Sequence, residues 1–482
     1  MCFKAPHRGL LITCIVAISV VCSGMASAAG SQGTGFELTA LDRYVAAPDS
    51  HYKYELIDTL KPSGATVYVL DMISQKWLTE KEVNKPIWQH WLTITVPDEV
   101  NSEIGFLFIG GGGNGGDPPK RANPLTLMIA KTTNTVVAEL SMVPNQPLIF
   151  VGDETIERKE DSAIAYTWDK FLRTGDERWP MRLPMTKSAV RAMDTMTDFL
   201  ATDEAGGITI DRFVVGGGSK RGWTTWTTAA VDKRVVAIVP IVIDLLNMQD
   251  SFTHHYEVYG FFAQAVQDYE SMNVMAWQGT KEYDALMKIV EPYEYRDRLM
   301  LPKFIINSSG DQFFLPDSWQ FYWDDLVGEK YLRYLPNTDH GMGGTDVIQS
   351  VISWYHSIVY NEGRPRFSWD IDEQGVTRIH TLDTPIEVKI WTAHNPETRN
   401  FQLKTIKKTW TSEILEPMDD GVYVAAPVIP EQGWSAYFVE LTYASGTDAP
   451  FKFTTGVKVL PDVKPFDAPV FTDADRAVPP HP

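Results

Sequence analysis

Residues 211–226, Asp-Arg-Phe-Val-Val-Gly-Gly-Gly-Ser-Lys-Arg-Gly-Trp-Thr-Thr-Trp, constrain the fold more than any other stretch of this 482-residue chain. Phe213, Val214 and Val215 read as a buried strand, residues 220–226 as the start of a helix, and Ser219 falls on the corner between them. A turn that sharp lifts a hydroxyl clear of the backbone and needs small residues on both sides, which Gly217 and Gly222 supply. Such a corner makes Ser219 a candidate nucleophile. The usual Gly-x-Ser-x-Gly pattern is shifted, because Arg221 stands at the second glycine position and Gly222 follows it. Lys220 and Arg221 read as basic residues solvated on a helix surface, or as groups favouring an anionic substrate.

The rest of the chain fits a sheet around that corner. Alternating β-rich runs at 52–57, 66–70 and 91–96 predict an antiparallel beginning. Apolar strands separated by helical stretches follow at 104–109, 136–143, 213–215, 235–243, 304–306 and 331–335, the pattern of a mostly parallel sheet covered on both faces. Val190, Met193, Met196 and Leu200 share one face of a helix, with Thr186 as its expected N-cap and Gly206-Gly207 beyond its end. An aromatic-rich insertion at 244–300 is where a hydrolase lid could sit, or simply core. Past a boundary at 363–365, short β runs recur at 367–370, 376–380, 386–392, 407–411, 422–425, 434–443 and 451–457. They predict a small β-sandwich over 365–460, immunoglobulin-like in shape only, then an extended tail at 461–482. The expected fold class is α/β: an α/β-hydrolase-like domain at 36–363 followed by that sandwich.

An acyl-transferring serine needs a base, an acid to orient the base, and donors for the oxyanion. Asp311 follows the strand at 304–306, and His340 follows the strand at 331–335, so the order is Ser219, Asp311, His340. All three lie beyond the carboxyl ends of strands, where open parallel sheets gather their sites. Asp317 and Asp339 are alternative acids, and His254 and His255 in the insertion are alternative pocket residues. The backbone N–H of Lys220 is one expected oxyanion donor. The other is expected from Gly111, Gly112 or Gly113, in the glycine loop after the strand at 104–109. That loop also satisfies Gly-x-Gly-x-x-Gly, but Asp117-Pro118-Pro119 follows it, so no helix start is ready to hold a pyrophosphate. No zinc pattern is present in the sequence, and neither a cofactor nor a metal is expected.

Lys4, His7 and Arg8 precede an apolar run at 10–21 and then Ala26-Ser27-Ala28, a leader pattern with cleavage expected after Ala28. The run is shorter than the roughly 20 residues of a membrane-spanning helix. The expected product is periplasmic or secreted, without stable membrane insertion. All three cysteines, Cys2, Cys14 and Cys22, lie in the leader, so no disulfide is expected in the mature chain. A net charge of −19 argues against nucleic-acid binding. It would suit a cationic peptide.

Residues 144–147 (Pro-Asn-Gln-Pro), 165–175 (Ala-Tyr-Thr-Trp-Asp-Lys-Phe-Leu-Arg-Thr-Gly), 219–226, 310–317 (Gly-Asp-Gln-Phe-Phe-Leu-Pro-Asp) and 328–334 (Gly-Glu-Lys-Tyr-Leu-Arg-Tyr) resemble the PhoPQ-activated pathogenicity-related protein family. The resemblance runs from Tyr44 to about Trp369. It implies an α/β-hydrolase-like domain with Ser219, Asp311 and His340 as the triad, export, and an association with virulence and cationic-peptide resistance. It implies no substrate. The resulting expectation is an exported serine hydrolase acting on an ester, amide or peptide. The alternative is a noncatalytic binding or signalling protein on the same scaffold.

Overall fold

A computed structural model describes residues 36–477 of the chain. The expected leader at 1–28, its cysteines and the last five residues lie outside the described residues. Nine strands form the central sheet in the order β1-β2-β3-β5-β4-β6-β7-β8-β9. They are β1 (Lys53–Leu60), β2 (Ala65–Lys76), β3 (Ile87–Pro97), β4 (Ile104–Ile109), β5 (Val137–Leu140), β6 (Arg212–Gly218), β7 (Val235–Ile241), β8 (Lys303–Ser308) and β9 (Lys330–Leu335). β1, β2 and β3 pair antiparallel, as do β3 and β5. From β5 through β4 to β9 every pairing is parallel.

The parallel strands are continuous apolar runs because both of their faces are covered. Leu107, Ile109, Phe213, Val215 and Ile238 belong to one core, while Phe106, Val214, Ala237 and Val239 belong to another. This is the alternation a strand imposes. Helices α1 (Ala40–Ala46), α2 (Pro124–Thr133), α3 (Glu160–Thr174), α4 (Arg182–Leu200) and α5 (Lys220–Val231) follow the chain order. The first core takes Val190, Met193 and Met196 from α4, and Trp223 and Trp226 from α5. The second takes Ile129 and Ala130 from α2, and Val351 and Trp354 from the later helix Val347–Val359.

Helix α4 corrects one expectation. Thr186 is not its N-cap but lies inside it, buried, with its hydroxyl donating to the Arg182 carbonyl at 2.9 Å. The helix starts at Arg182 even though Pro184 follows two residues later, because the first turn has no intrahelical acceptor for the N–H that proline lacks.

The 244–300 insertion between β7 and β8 contains α6 (Met248–Tyr259), α7 (Gln267–Ser271) and α8 (Lys281–Val290). After β9 come α9 (Val347–Val359) and two antiparallel sheets. One sheet holds β10 (Phe367–Ile371) and β11 (Thr377–Thr381), with a partner strand Val422–Ala425. The other is built on β12 (Glu387–Asn395), which pairs with Trp434–Tyr443 and with Thr411–Ile414. The expected strand at 407–411 is displaced: a short helix, α10 (Leu403–Ile406), comes first, and the strand β13 spans Thr411–Ile414. In chain order the remaining strands are β14 (Val422–Ala425), β15 (Trp434–Tyr443), β16 (Phe451–Thr454) and β17 (Lys458–Leu460). The run expected at 451–457 forms a strand only as far as Thr454, as β16, and a further strand that was not expected, β17, follows it; the two pair with different parts of β15. Beyond β17, Phe466 N–H donates to Glu257 O at 3.0 Å, and Phe471 stacks on Phe262 with ring centroids 6.5 Å apart.

Candidate active site

β6 delivers Ser219 to the first position before α5 with φ +58° and ψ −128°. A non-glycine residue held there costs roughly 1–3 kcal/mol, so the surrounding structure enforces the corner. The enforcing contacts are close. A Cβ on Gly217 would lie 2.8 Å from the Arg221 carbonyl oxygen, and one on Gly222 would lie 2.9 Å from the Gly217 oxygen. Strand β6 and helix α5 therefore approach backbone to backbone. This explains the shifted motif: the close approach needs glycine at 217 and 222, while the Arg221 side chain leaves the corner.

Where it goes overturns the expectation of solvated basic residues. Arg221 Nε donates to Val143 O at 2.5 Å, and its Nη2 lies 2.6 Å from Glu160 Oε1. The buried Lys220 ammonium sits 3.1 Å from Glu160 and 3.0 Å from Asp161. Burial works against ionisation of Glu160, but the Arg221 hydrogen bond and the neighbouring cations bring its carboxyl down to about 2. Arg182, also buried, donates to Lys220 O at 2.8 Å and lies over the Trp223 ring. Glu160, Asp161 and Arg182 were not identified from the sequence. The signal available was the acidic first turn of α3, some sixty residues upstream of the serine.

Asp311 follows β8, and His340 follows β9. Asp311 Oδ2 lies 2.7 Å from His340 Nδ1, and its Oδ1 accepts the Phe313 N–H at 2.7 Å, so both carboxylate oxygens are engaged. Gly310 lets this turn form, since a Cβ there would meet Thr338 O at 2.7 Å and Leu403 N at 2.8 Å. The other acids are committed elsewhere. Asp317 pairs with Arg399 at 2.8 Å and contacts His254 at 3.1 Å; burial opposes its ionisation, but the Arg399 guanidinium and the bond to the His254 ring hold its carboxyl below the usual range. Asp339 accepts the Gly341 N–H. His255 accepts the Ala263 N–H, and burial, aided by His254, pushes its imidazole down to about 3.

His340 Nε2 is buried and has no hydrogen-bond partner among the described residues, Ser219 Oγ included. The two residues border common side chains. The His340 ring packs on Phe313 and Phe314 with centroids 4.5 and 6.1 Å away, and both phenylalanines line a cavity of about 30 Å³ that Ser219 also lines. Leu245, Met248, Phe252, Val266 and Tyr269 from the insertion also line it.

The glycine loop after β4 rests against the first turn of α5: a Cβ on Gly111 would lie 2.8 Å from Arg221 Nη2. Gly111 O accepts the Met142 N–H at 2.8 Å, and Gly112 O accepts Gln146 Nε2 at 3.1 Å. Gly113 stands beside Gln146 O. The carbonyls of Gly111 and Gly112 are thus held from the side. The first N–H groups of α5, beginning with Lys220, have no acceptor within their own helix. No group of three metal-ligating side chains occurs among the described residues, and none of their helices is long and apolar enough to cross a membrane.

The model of the PhoPQ-activated pathogenicity-related protein family matches residues 41–402, three quarters of the chain. The chain belongs to that family. It is 37% identical over 457 residues to autocrine proliferation repressor protein A of Dictyostelium discoideum, covering 89% of this chain and 92% of that protein. Among solved structures it is similar to acetyl xylan esterase 1 from Thermoanaerobacterium sp. JW/SL YS485, at TM-score 0.44 and 12% identity over 67% of this chain and 92% of that one. It is also similar to the acylaminoacyl peptidase of Pyrococcus horikoshii, at TM-score 0.37 and 13% identity over 64% and 50% of the two chains. These likenesses concern the fold. The strand order and parallel crossovers described above make this family member an α/β-hydrolase scaffold.

Proposed function

We propose that the protein is an exported serine hydrolase that cleaves an ester or amide. Ser219 Oγ attacks the acyl carbon while His340 Nε2 takes its proton. Asp311 fixes the imidazole through Nδ1 and stabilises the imidazolium. The N–H of Lys220 and one from Gly111, Gly112 or Gly113 receive the developing oxyanion. Nε2 then returns the proton to the leaving alcohol or amine as its bond to the acyl carbon breaks. Water, deprotonated by the same nitrogen, attacks the acyl-serine, releases the acid and restores Ser219. The observation that carries this reading is the 2.7 Å contact of His340 Nδ1 with Asp311, which leaves Nε2 buried, and without a partner among the described residues, beside the cavity of a strained serine. Serine–histidine bonds are often long in unliganded enzymes and tighten when substrate binds.

A panel of esters and peptides tests it: turnover by the mature protein and none by Ser219→Ala supports the reading, and equal rates for the two refute it. The export component predicts a mature chain beginning at Ala29, which N-terminal sequencing of the secreted or periplasmic protein checks. A second reading, a noncatalytic binding or signalling protein, is favoured by the identity to a proliferation repressor and by the net charge of −19. It predicts cationic-peptide binding that weakens with salt and survives Ser219→Ala.

A further inference from the structure

Two spaces of unlike size and chemistry are lined by neighbours of His340. The cavity at Ser219 holds about 30 Å³, room for about two waters. Its walls are dominated by large side chains, among them Trp168, Trp223, Phe252 and Phe314. The second space is an open cleft of about 420 Å³ lined by Gln264, Gln312, Gln402, Asp339 and Lys404. Adjacent residues face opposite ways: Gln312 lines the cleft and Phe313 the cavity, and Ala265 lines the cleft and Val266 the cavity. His340 touches one residue of each lining. Its ring packs on Phe313, and its backbone N–H donates to Gln312 Oε1 at 3.2 Å.

The division matters because an acylated serine keeps the acyl group on its own side, while the imidazole hands its proton to the group that departs. From this geometry we infer that the substrate is an ester of a short acyl group, of about two carbons, with a hydroxyl-rich alcohol of saccharide type. The inference rests on the hydrolase reading above. The acyl limit follows from the cavity volume, since each further methylene must displace packed aromatic walls. The alcohol class follows from the cleft. Three carboxamides each offer donors and acceptors, as hydroxyl groups do, and one cation and one anion leave the lining without net charge. Gln402 Oε1 is buried there without a hydrogen-bond partner among the described residues.

The test has two arms and a control on the mature full chain. In the first, kcat/KM for 4-nitrophenyl acetate exceeds that for the butyrate by at least ~100-fold, two methylenes being involved, and Val266→Ala narrows the gap by about 10-fold. A rate that is level or rises with chain length overturns the acyl assignment. In the second, the double variant Gln264→Ala, Lys404→Ala, both exposed positions, raises KM for an acetylated disaccharide by about 10-fold. It raises KM for 4-nitrophenyl acetate by less. Equal effects on the two substrates, or faster cleavage of N-acetyl peptides than of acetylated disaccharides, overturn the alcohol assignment. The control is covalent labelling of Ser219 by a small phosphofluoridate. Labelling with the wrong selectivity defeats this inference alone, whereas a folded protein that neither labels nor turns over any ester defeats the hydrolase reading beneath it.

Discussion

Gly217 has no room for a methyl group, because its missing Cβ faces the carbonyl of Arg221 at 2.8 Å. Gly217→Ala therefore has to push β6 and α5 apart at the corner that holds Ser219. We expect a destabilisation of about 1–3 kcal/mol, read by denaturant unfolding, with a larger proportional loss of turnover because the serine moves with the corner. Asp311→Asn tests the orienting acid. The amide replaces an acceptor at Nδ1 with a group that stabilises the wrong tautomer, and kcat should fall about 10⁴-fold while the fold persists, as it does in serine proteases. A small change in kcat would reassign the acid. At this scale the sequence was informative about positions and silent about partners. The strand-end placement of Ser219, Asp311 and His340 could be read from apolar runs and turn residues. The burial of Lys220 and the ion pairing of a half-buried Arg221 could not, because the carboxylates that neutralise them lie on α3, far back in the chain.

Arg221 ties three elements together: α5, which carries it; α3, through Glu160; and the loop after β5, through Val143 O. Arg221→Ala should destabilise the fold by up to about 3 kcal/mol, the lower part of the range for a broken buried pair, because Lys220 remains beside a Glu160 that is 37% exposed. Restoring a glycine in the standard motif position should thus harm the protein, not improve it. The ends of β7 and β9 are joined by Asp244, whose carboxylate accepts Tyr322 Oη at 2.7 Å and Tyr334 Oη at 2.5 Å. Burial raises its carboxyl to about 8, outweighing both hydrogen bonds. The folded protein keeps a proton that the unfolded chain releases near pH 4. This contribution to stability is complete below that pH and disappears as pH rises through 8. Unfolding midpoints at pH 5 and 8 should differ less in Asp244→Asn than in the wild type. The strands were legible because covered parallel strands are unbroken apolar runs. Thr186 was misread as a cap because a threonine bonding back to its own helix has the same local sequence as one that starts it.

Across the molecule, the C-terminal sheets complete the core of the central one. Phe453 of β16 stacks on Tyr331 of β9 with centroids 4.2 Å apart, and Thr454 Oγ1 accepts the Tyr334 N–H at 2.9 Å. Trp319 donates to Val457 O at 2.8 Å. Phe453→Ala should therefore cost about 3–5 kcal/mol and lower a single cooperative transition. Separate transitions for the two parts would contradict this shared core. The C-terminal antiparallel sheets were legible as spaced β runs, but their attachment was not, since sequence periodicity says which residues are buried and not against what. The segment beyond β17 reaches back to α6, with Phe466 N–H on Glu257 O, in the insertion that helps line the serine cavity.

The central claim is that Ser219 is a nucleophile activated by His340, and the most direct measurement is the intact mass of the folded protein after exposure to a small phosphofluoridate, with the adduct mapped by peptide sequencing. The account predicts one adduct on Ser219, absent in Ser219→Ala and formed far more slowly in His340→Ala. A folded wild-type chain that remains unmodified, or an adduct on another residue that survives Ser219→Ala, would contradict it.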